Sequence, residues 1–473
     1  MVHSSDTIAA ISTPPGPGGI AIIRFSGADA LSIGRQLFIS STGTPCPFTP
    51  RHMHYGYIAD ALGRRLDEVL AVYMPGPHSA TGEDVFEIHC HGGPAIATAI
   101  LEAALTVGAR LAEAGEFTRR AFLSGRIDLA QAEAVAEAIA APTREGVRLA
   151  QAKMSGALSQ LVHELRTVVD TLRVSFAAAL DFPEDEDEIV PVEPLLEQID
   201  FVKESLEKAI GGYERAKLWR DGASFVLAGQ VNAGKSSLLN ALLGRERAIV
   251  SDQPGTTRDY IEETLLIGGM PLRCIDTAGL RLSTDTVEVE GIRRAGQLAH
   301  EATVVVLVVD ALDSTVTAEG FAPASPEMSF LADRREQLER GQVIMVVNKA
   351  DVAPREAEQL ATTLRNVYLC PVCIVSAKES AGLDVLSESI AEVVLKTGAT
   401  VESDIAPNLR QTVLLKNALV EMEQLREEIL LHLPLDILSL RLDAVAQSLD
   451  EVVGVSTTDA ILGTIFSSFC IGK

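Results

Sequence analysis

The chain has 473 residues, 47% of them hydrophobic and 4% aromatic, and carries a formal net charge of -25 from 40 basic and 65 acidic side chains. This length and apolar content supply material for about three domains with real cores and exclude a disordered composition. So large an acidic surplus repels phosphate backbones, and the low aromatic content argues against a base-stacking platform, so contact with nucleic acid must be local or shared with a partner.

From the start, "TIAAIST", "GGIAIIRF", "EVLAVYMPG" and "VFEIHCHGG" read as short strands between Pro and Gly punctuation, and "PAIATAILEAALTVG" reads as a helix. Near Ala121 the pattern turns to long helices. In "LSQLVHELRTVVDTL" the apolar residues Leu158, Leu161, Val162, Leu165, Val168, Val169 and Leu172 recur at helical spacing. The acidic run "DFPEDEDEI" reads as a solvated loop that caps the next helix. At about Asp221 strands begin to alternate with helices: "SFVLAGQ", "LRCIDTAG", "TVVVLVVDA", "QVIMVVNKAD" and "CIVSA", the signature of a parallel sheet with crossover helices. Past Lys396 long helices return. An α/β domain is therefore inserted into a helical one, and the expected divisions are 1–122, 123–220, 221–396 and 397–473.

Six cysteines without regular spacing suit a reducing cytosol better than a disulfide scaffold. "CPVC" has redox or zinc spacing, but it lacks a second pair and sits in the strand-like run "VYLCPVCIVSA", so a structural role is favoured. No signal peptide is evident, and the longest apolar run, "VVVLVV", is strand-sized. A soluble cytoplasmic protein is expected.

"GQVNAGKS" (Gly229 to Ser236) fits the phosphate loop G-x-x-x-x-G-K-[ST], with a strand before it and a helix after. Its glycines admit backbone N–H groups to the phosphates, Lys235 reaches the β and γ oxygens, and Ser236 ligates Mg²⁺. "DTAG" (Asp276, Thr277, Ala278, Gly279) sets a carboxylate near the metal and a glycine beside the γ-phosphate. "NKAD" (Asn348, Lys349 and, at its end, Asp351) and "SAK" (Ser376, Ala377, Lys378) form the base pocket. Asp351 accepts two hydrogen bonds from guanine that adenine cannot supply. Four motifs in this order, all at strand ends, mark a GTP-binding domain, with further contacts expected from Asn232, Ala233, Gly234 and Ser237. Leu280 stands where Ras-like enzymes carry the glutamine that orients water, so the catalytic polar group comes from elsewhere. "SDQPGTTRD" offers Thr257 as a second Mg²⁺ ligand. Asn232 either shapes the loop or helps hold a monovalent cation that takes the place of an arginine finger; both readings stand at this point.

With "DTIAAISTPPGPGGIAIIRFSG", "ATGEDVFEIHCHGGP", "AGEFTRRAFLSGRIDLAQAEAV", "LDFPEDED", "AIVSDQPGTTRD", "DTAGLR" and the terminal "FCIGK", nearly the whole chain resembles the tRNA modification GTPase family MnmE, also called TrmE. The resemblance implies an N-terminal α+β domain that binds a tetrahydrofolate derivative, and a helical domain interrupted by a Ras-like P-loop G domain. It also implies a homodimer whose G domains associate when K⁺ and GTP bind. An FAD-dependent partner, MnmG (GidA), would join it to place an aminomethyl or carboxymethylaminomethyl group on wobble uridines of certain tRNAs, with folate as one-carbon donor. By matching position, Arg24, Glu87 and Arg126 resemble folate-contacting residues, position 126 being commonly Lys in the family. Asn232, Ser251, Gln253 and Thr256 match the potassium loop, and Glu288 matches the water-activating glutamate. Without the resemblance, Glu288 reads as a charge on an exposed helix start. Alternation in "VFEIHCH" puts Glu87, His89 and His91 on one strand face, where the resemblance favours folate over a metal.

The tail admits three readings. Gly472 and Lys473 make "CIGK" a poor lipidation signal. A buried structural end explains Ile465, Phe466 and Phe469 but not the thiol. The resemblance implies that Lys473 lies by the folate pocket and Cys470 faces the reaction centre. A ribosome-assembly GTPase is the alternative function, but neither an RNA-binding appendage nor a second G domain is visible.

Overall fold

The structure is a computed structural model that describes residues 6–41, 43, 45–60, 62–182, 191–230, 232–246, 263–275, 302–312, 316–317, 320–322, 325–397, 404–467 and 469–472. It opens with β1 (Ile8–Ile11), β2 (Ile20–Ser26), α1 (Ala30–Leu37), β3 (Phe38–Ser40), β4 (His54–Ala59), β5 (Arg65–Met74), β6 (Val85–His91), α2 (Pro94–Thr106) and β7 (Arg110–Leu111). These strands form a seven-stranded sheet in the order β3-β4-β5-β6-β2-β1-β7. The period-2 alternation of β2 and β6 sends Ile23, Phe25, Phe86 and Ile88 into a core shared with Ile33, Leu37 and Ile100 of the two helices. The opposite face carries Arg24, Glu87 and His89. The short, half-polar strands β3 and β4 were not legible among the sequence's strand runs.

Four helices follow: α3 (Glu116–Leu123), α4 (Leu129–Ala140), α5 (Arg144–Met154) and α6 (Ala157–Asp181), then the long α7 (Val192–Asp221). Next come β8 (Ala223–Ala228), α8 (Lys235–Glu246), β9 (Glu263–Ile267), β10 (Met270–Ile275), β11 (Val304–Asp310), β12 (Val316–Thr317) and β13 (Gly320–Phe321). The α/β region continues through α9 (Pro326–Ala332), α10 (Arg335–Glu339), β14 (Val343–Asn348), α11 (Pro354–Tyr368), β15 (Val372–Ile374) and α12 (Leu383–Thr397). The chain finishes with α13 (Leu409–Leu430), α14 (Leu435–Val453) and α15 (Asp459–Ser467).

The second sheet runs β15-β14-β11-β8-β10-β9. It corrects the all-parallel expectation: β9 pairs antiparallel with β10. Gly268 and Gly269 join them with φ of 59° and 78°, and two successive left-handed residues make the tight turn that matches strand twist. The run "VYLCPVCIVSA" is likewise shorter as a strand than expected. α11 takes up its Tyr368, Leu369 turns the chain at φ 47°, and only Val372–Ile374 pairs in the sheet. Cys370 and Cys373 are buried, and burial pushes the Cys370 thiol up to about 11 and the Cys373 thiol above its usual range, which favours packing over redox chemistry.

The chain divides into two compact units, Met1–Ala136 with Lys153–Lys203 and Val413–Lys473, and Glu137–Ala152 with Glu204–Thr412. Within the first, α6 packs on α14 although the whole α/β region separates them in sequence. Leu158, Val162, Leu165, Val169, Leu172 and Phe176 of α6 are buried, as are Leu438, Leu442, Val445 and Leu449 of α14. Arg166 binds Asp450 at 3.0 Å and Arg173 binds Asp443, which sets the two helices antiparallel. No helix among the described residues is long and apolar enough to cross a membrane.

An ion network fastens the start of the first sheet to α3. Arg110 donates to Asp6 and Glu116, and Arg120 donates to Asp6, Glu116 and, at 3.1 Å, to Glu83. The hydrogen bond from Arg110 holds the Asp6 carboxyl below its usual range. Burial alone would raise Glu116, but the bonds from Arg110, the Glu113 backbone and Arg120 outweigh it and hold its pKa below the usual range. Carboxyls depressed in the fold add stability above their unfolded pKa values, about 3.9 and 4.3, and lose it as pH falls through the folded values. Glu116→Gln is therefore expected to cost about 1.5–3 kcal/mol at pH 7, with the deficit shrinking below about pH 4. Urea midpoints of both proteins from pH 7 to pH 3 measure it; a deficit independent of pH would contradict the assignment.

Candidate functional site

Three of the four nucleotide-binding motifs, the phosphate loop, "NKAD" and "SAK", converge at the C-terminal edge of the second sheet. The loop leaving β8 reaches Lys235, the first residue of α8, whose Nζ donates to the carbonyls of Gly229 (2.7 Å) and Gln230 (2.8 Å). This folds the ammonium over its own loop, and the helix start presents backbone N–H groups to the same space. Gly229 has φ 139°, and a Cβ there would stand 2.1 Å from the Val308 carbonyl of β11, so only glycine lets the loop pass that strand. Gly234 is restricted for a second reason: its φ is 93°, and a Cβ would fall 2.2 Å from Asn348 Nδ2.

Asn348 ends β14 buried and ties two loops together. Its Nδ2 donates to the Ala233 carbonyl at 2.9 Å, and its Oδ1 accepts from the Ala377 N–H at 3.1 Å. The side-chain amide thereby spans from phosphate loop to base loop, an architectural task that motif spacing alone does not disclose. Half-buried Asp351 accepts from Ser376 Oγ at 2.7 Å, which orients the carboxylate. Lys349, left-handed at φ 66°, pairs with Asp310 at the end of β11 (2.6 Å), a partner the sequence reading did not name. Ser236 and Ser237 are exposed on the first turn of α8, and Lys378 is exposed beyond β15. Asn232 is exposed with φ 66°, a conformation asparagine tolerates, so it shapes this loop whatever else it does. Ser251, Gln253, Thr256, Thr257, Asp276, Thr277, Ala278, Gly279, Glu288 and Lys473 lie outside the described residues.

A second polar cluster stands on the open face of the first sheet. Arg24 of β2 and Glu87 of β6 are directly paired in register, and Arg24 Nε donates to Glu87 Oε1 at 2.7 Å. His89 Nε2 lies 3.2 Å from the other carboxylate oxygen. Burial alone would raise the Glu87 pKa, but the His89 hydrogen bond and the Arg24 charge hold it below the usual range. The result is an ionised acceptor, each oxygen with one partner and a further lone pair. Arg24 also lies 5.9 Å from the centre of the Phe117 ring. His91 shares the strand face but turns to Asp67, 2.8 Å away, so the three side chains do not converge on one point. No metal-holding group of His, Cys, Asp and Glu occurs among the described residues. Arg126 is exposed on the loop after α3, beside Gly82.

The tail folds onto the same sheet. Phe466 and Phe469 bury against Leu129, Ala132 and Leu462. The Cys470 carbonyl accepts from the Gly115 N–H at 3.4 Å, Ile471 bridges to Ala114, and Ser12 Oγ donates to the Gly472 carbonyl at 2.9 Å. Gly472 has φ 91°, and a Cβ there would stand 2.3 Å from the Ile11 carbonyl. Ser12 in turn donates its N–H to Ile22, two residues before Arg24 in β2. Cys470 itself is exposed.

Two family models match. The one described as the GTP-binding protein TrmE N-terminus covers residues 7–126, and the MnmE helical domain covers residues 129–470. A protein named tRNA modification GTPase MnmE from Nitratidesulfovibrio vulgaris strain Hildenborough is 49% identical over the full length of both chains. This chain belongs to the MnmE family. Proteins of the same name from Lawsonia intracellularis and Geobacter sulfurreducens are each 41% identical, covering 99% and 100% of this chain and 100% of theirs. The solved G domain of the T. maritima FeoB iron transporter is 29% identical, covers 36% of this chain and 98% of that one, and has a TM-score of 0.25. Family membership accords with the architecture described above: an N-terminal α+β sheet, and helices from both sides of an intervening P-loop region that pack together. MnmE members are named as GTPases, and the loop of Gly229 to Ser236 supplies the phosphate-binding element that such an enzyme requires.

Proposed function

We propose that this MnmE protein is a K⁺-dependent GTPase that acts in the cytoplasm as a homodimer with an FAD-dependent MnmG (GidA) partner. Together they add an aminomethyl or carboxymethylaminomethyl group at C5 of the wobble uridine in certain tRNAs, with a tetrahydrofolate derivative as one-carbon donor. The observation that carries the reading is the 49% identity to a tRNA modification GTPase from end to end, both halves and the tail included. The proposed divisions are 1–122 for folate binding, 123–220 and 397–473 for the helical domain, and 221–396 for the G domain.

In the G domain Lys235 holds the β and γ oxygens, and the α8 N-terminus adds its backbone N–H groups and dipole. Asp351, aligned by Ser376, selects guanine; Asn348 keeps the phosphate and base loops at a fixed separation. Ser236 and Thr257 are the proposed Mg²⁺ ligands, and Asn232, Ser251, Gln253 and Thr256 the K⁺ ligands, of which Ser236 and Asn232 lie at the phosphate loop as such ligands require. When bound, the two cations would supply positive charge where negative charge develops during phosphoryl transfer. Glu288 orients and deprotonates the attacking water. On the first sheet, ionised Glu87 accepts N–H donors of the folate ring system, Arg24 neutralises the site, and Arg126 and Lys473 hold the ligand's anionic end. The polar Arg24–Glu87–His89 face, half-buried and with spare acceptor capacity, fits such a ligand.

Mass spectrometry of tRNA nucleosides from a deletion strain tests the reading. Loss of the modified wobble uridine supports it; intact modification with a ribosomal-subunit defect favours a ribosome-assembly GTPase. The cation assignment has its own check. GTP turnover is expected to rise in KCl and to stay low in NaCl at matched ionic strength, and equal rates in the two salts would remove Asn232 from the catalytic scheme.

A further inference from the structure

The helical bundle ends in an apolar surface that the nucleotide and folate sites do not use. The pairings of Arg173 with Asp443, Arg426 with Asp200 and Arg441 with Glu428 bring together the C-termini of α6 and α13 and the N-termini of α7 and α14. At that end Phe182, Leu431 and Leu440 are 62%, 72% and 67% exposed, and Leu180, Leu430 and Ile437 are exposed beside them. Six large apolar side chains exposed at one end of the bundle are the kind of surface that a partner buries.

The surrounding charges identify what fits. Asp181, Glu193, Glu427 and Asp436 are exposed around the patch. The nearby arginines are engaged within the bundle: Arg173 by Asp170 and Asp443, Arg426 by Asp200, and Arg441 by Glu421 and Glu428. An apolar centre with an acidic rim disfavours a second copy of the same surface, because two such rims would face each other. It disfavours an anionic membrane for the same reason. We propose that this tip docks a partner protein through an apolar patch flanked by lysine or arginine. The inference rests on the reading that the chain works with a second protein, and it specifies the chemistry of that protein's contact surface.

The test measures binding of the purified MnmG-type flavoprotein from the same genome to the full-length chain by calorimetry. Compared with wild type are the double variant Leu431→Glu/Leu440→Glu and the charge reversal Asp181→Lys/Asp436→Lys. All four positions are exposed, so thermal melts and GTP turnover are expected to stay unchanged. Each double variant is expected to weaken binding at least tenfold, and wild-type affinity is expected to fall as salt rises. Binding by wild type with undiminished binding by both variants would overturn the tip as the docking site and leave the partnership standing. No binding by wild type would overturn the partnership and this inference with it. A change in the sedimentation of the isolated chain on Leu431→Glu/Leu440→Glu would assign the tip to self-association and overturn the proposal.

Discussion

Asp351→Asn is expected to lower GTP affinity by about 10²–10³-fold while leaving the fold intact. A carboxylate accepts from both the N1–H and the exocyclic amine of guanine, and hydrogen bonds to a charged group contribute roughly 1.5–3 kcal/mol each. The asparagine amide retains one acceptor but turns an NH₂ donor toward a second donor, so one bond becomes a repulsion. The isosteric change keeps an oxygen for Ser376 Oγ, now 2.7 Å from Asp351 Oδ1, so the loop that follows β15 stays in place. Xanthine carries a carbonyl where guanine carries the amine, and the same NH₂ donates to it. Affinity for xanthosine triphosphate is therefore expected to rise as affinity for GTP falls. Competition titrations with both nucleotides read the switch, and undiminished GTP affinity would show that Asp351 does not contact the base.

The legible parts of this molecule were those in which one residue type has one physical use. The phosphate loop could be read because Gly229 and Gly234 stand where any Cβ collides, and the helix of α6 because a buried stripe must recur at its own period. The insertion of the α/β region into the helices was visible from texture alone. Long-range pairing was not. Nothing in "SFVLA" or "NKAD" announces that Asn348 would hold Ala233 and Ala377 at once, since both acceptor and donor are backbone groups from distant loops. The Asp6–Arg110–Glu116–Arg120 network was hidden likewise, apart from the i,i+4 spacing of Glu116 and Arg120. β9 could have been found, because two glycines between apolar runs are a hairpin signal, but the expectation of a parallel sheet overrode it. The strand reading of "VYLCPVCIVSA" failed because apolar periodicity cannot separate the last turn of a buried helix from the strand that follows.

Cys470→Ser is expected to abolish tRNA modification while leaving folding and GTP hydrolysis nearly unchanged. The tail's anchoring explains why the substitution separates these properties. Phe466 and Phe469 supply the buried apolar surface, while Gly115, Ala114 and Ser12 hold the backbone of residues 470 to 472. None of these attachments uses the thiol, which is exposed, so serine costs the fold nothing that they provide. The requirement for glycine at 472 points the same way: the chain is brought so close to Ile11 that no side chain fits, and a merely frayed end has no use for such an approach. Ile11 pairs with Ile23, and Arg24 pairs with Glu87, so the tail is strapped beside the proposed folate site. We propose that the thiol of Cys470 serves tRNA modification as a nucleophile toward the uracil ring, in redox chemistry or in positioning; serine matches its size but lacks its nucleophilicity. Nucleoside analysis of tRNA from a strain carrying only the variant, with GTP turnover and a thermal melt on the purified protein, decides the matter. Normal modification would make Cys470 a bystander on a structural tail, and a lowered melting temperature would return the thiol to the fold.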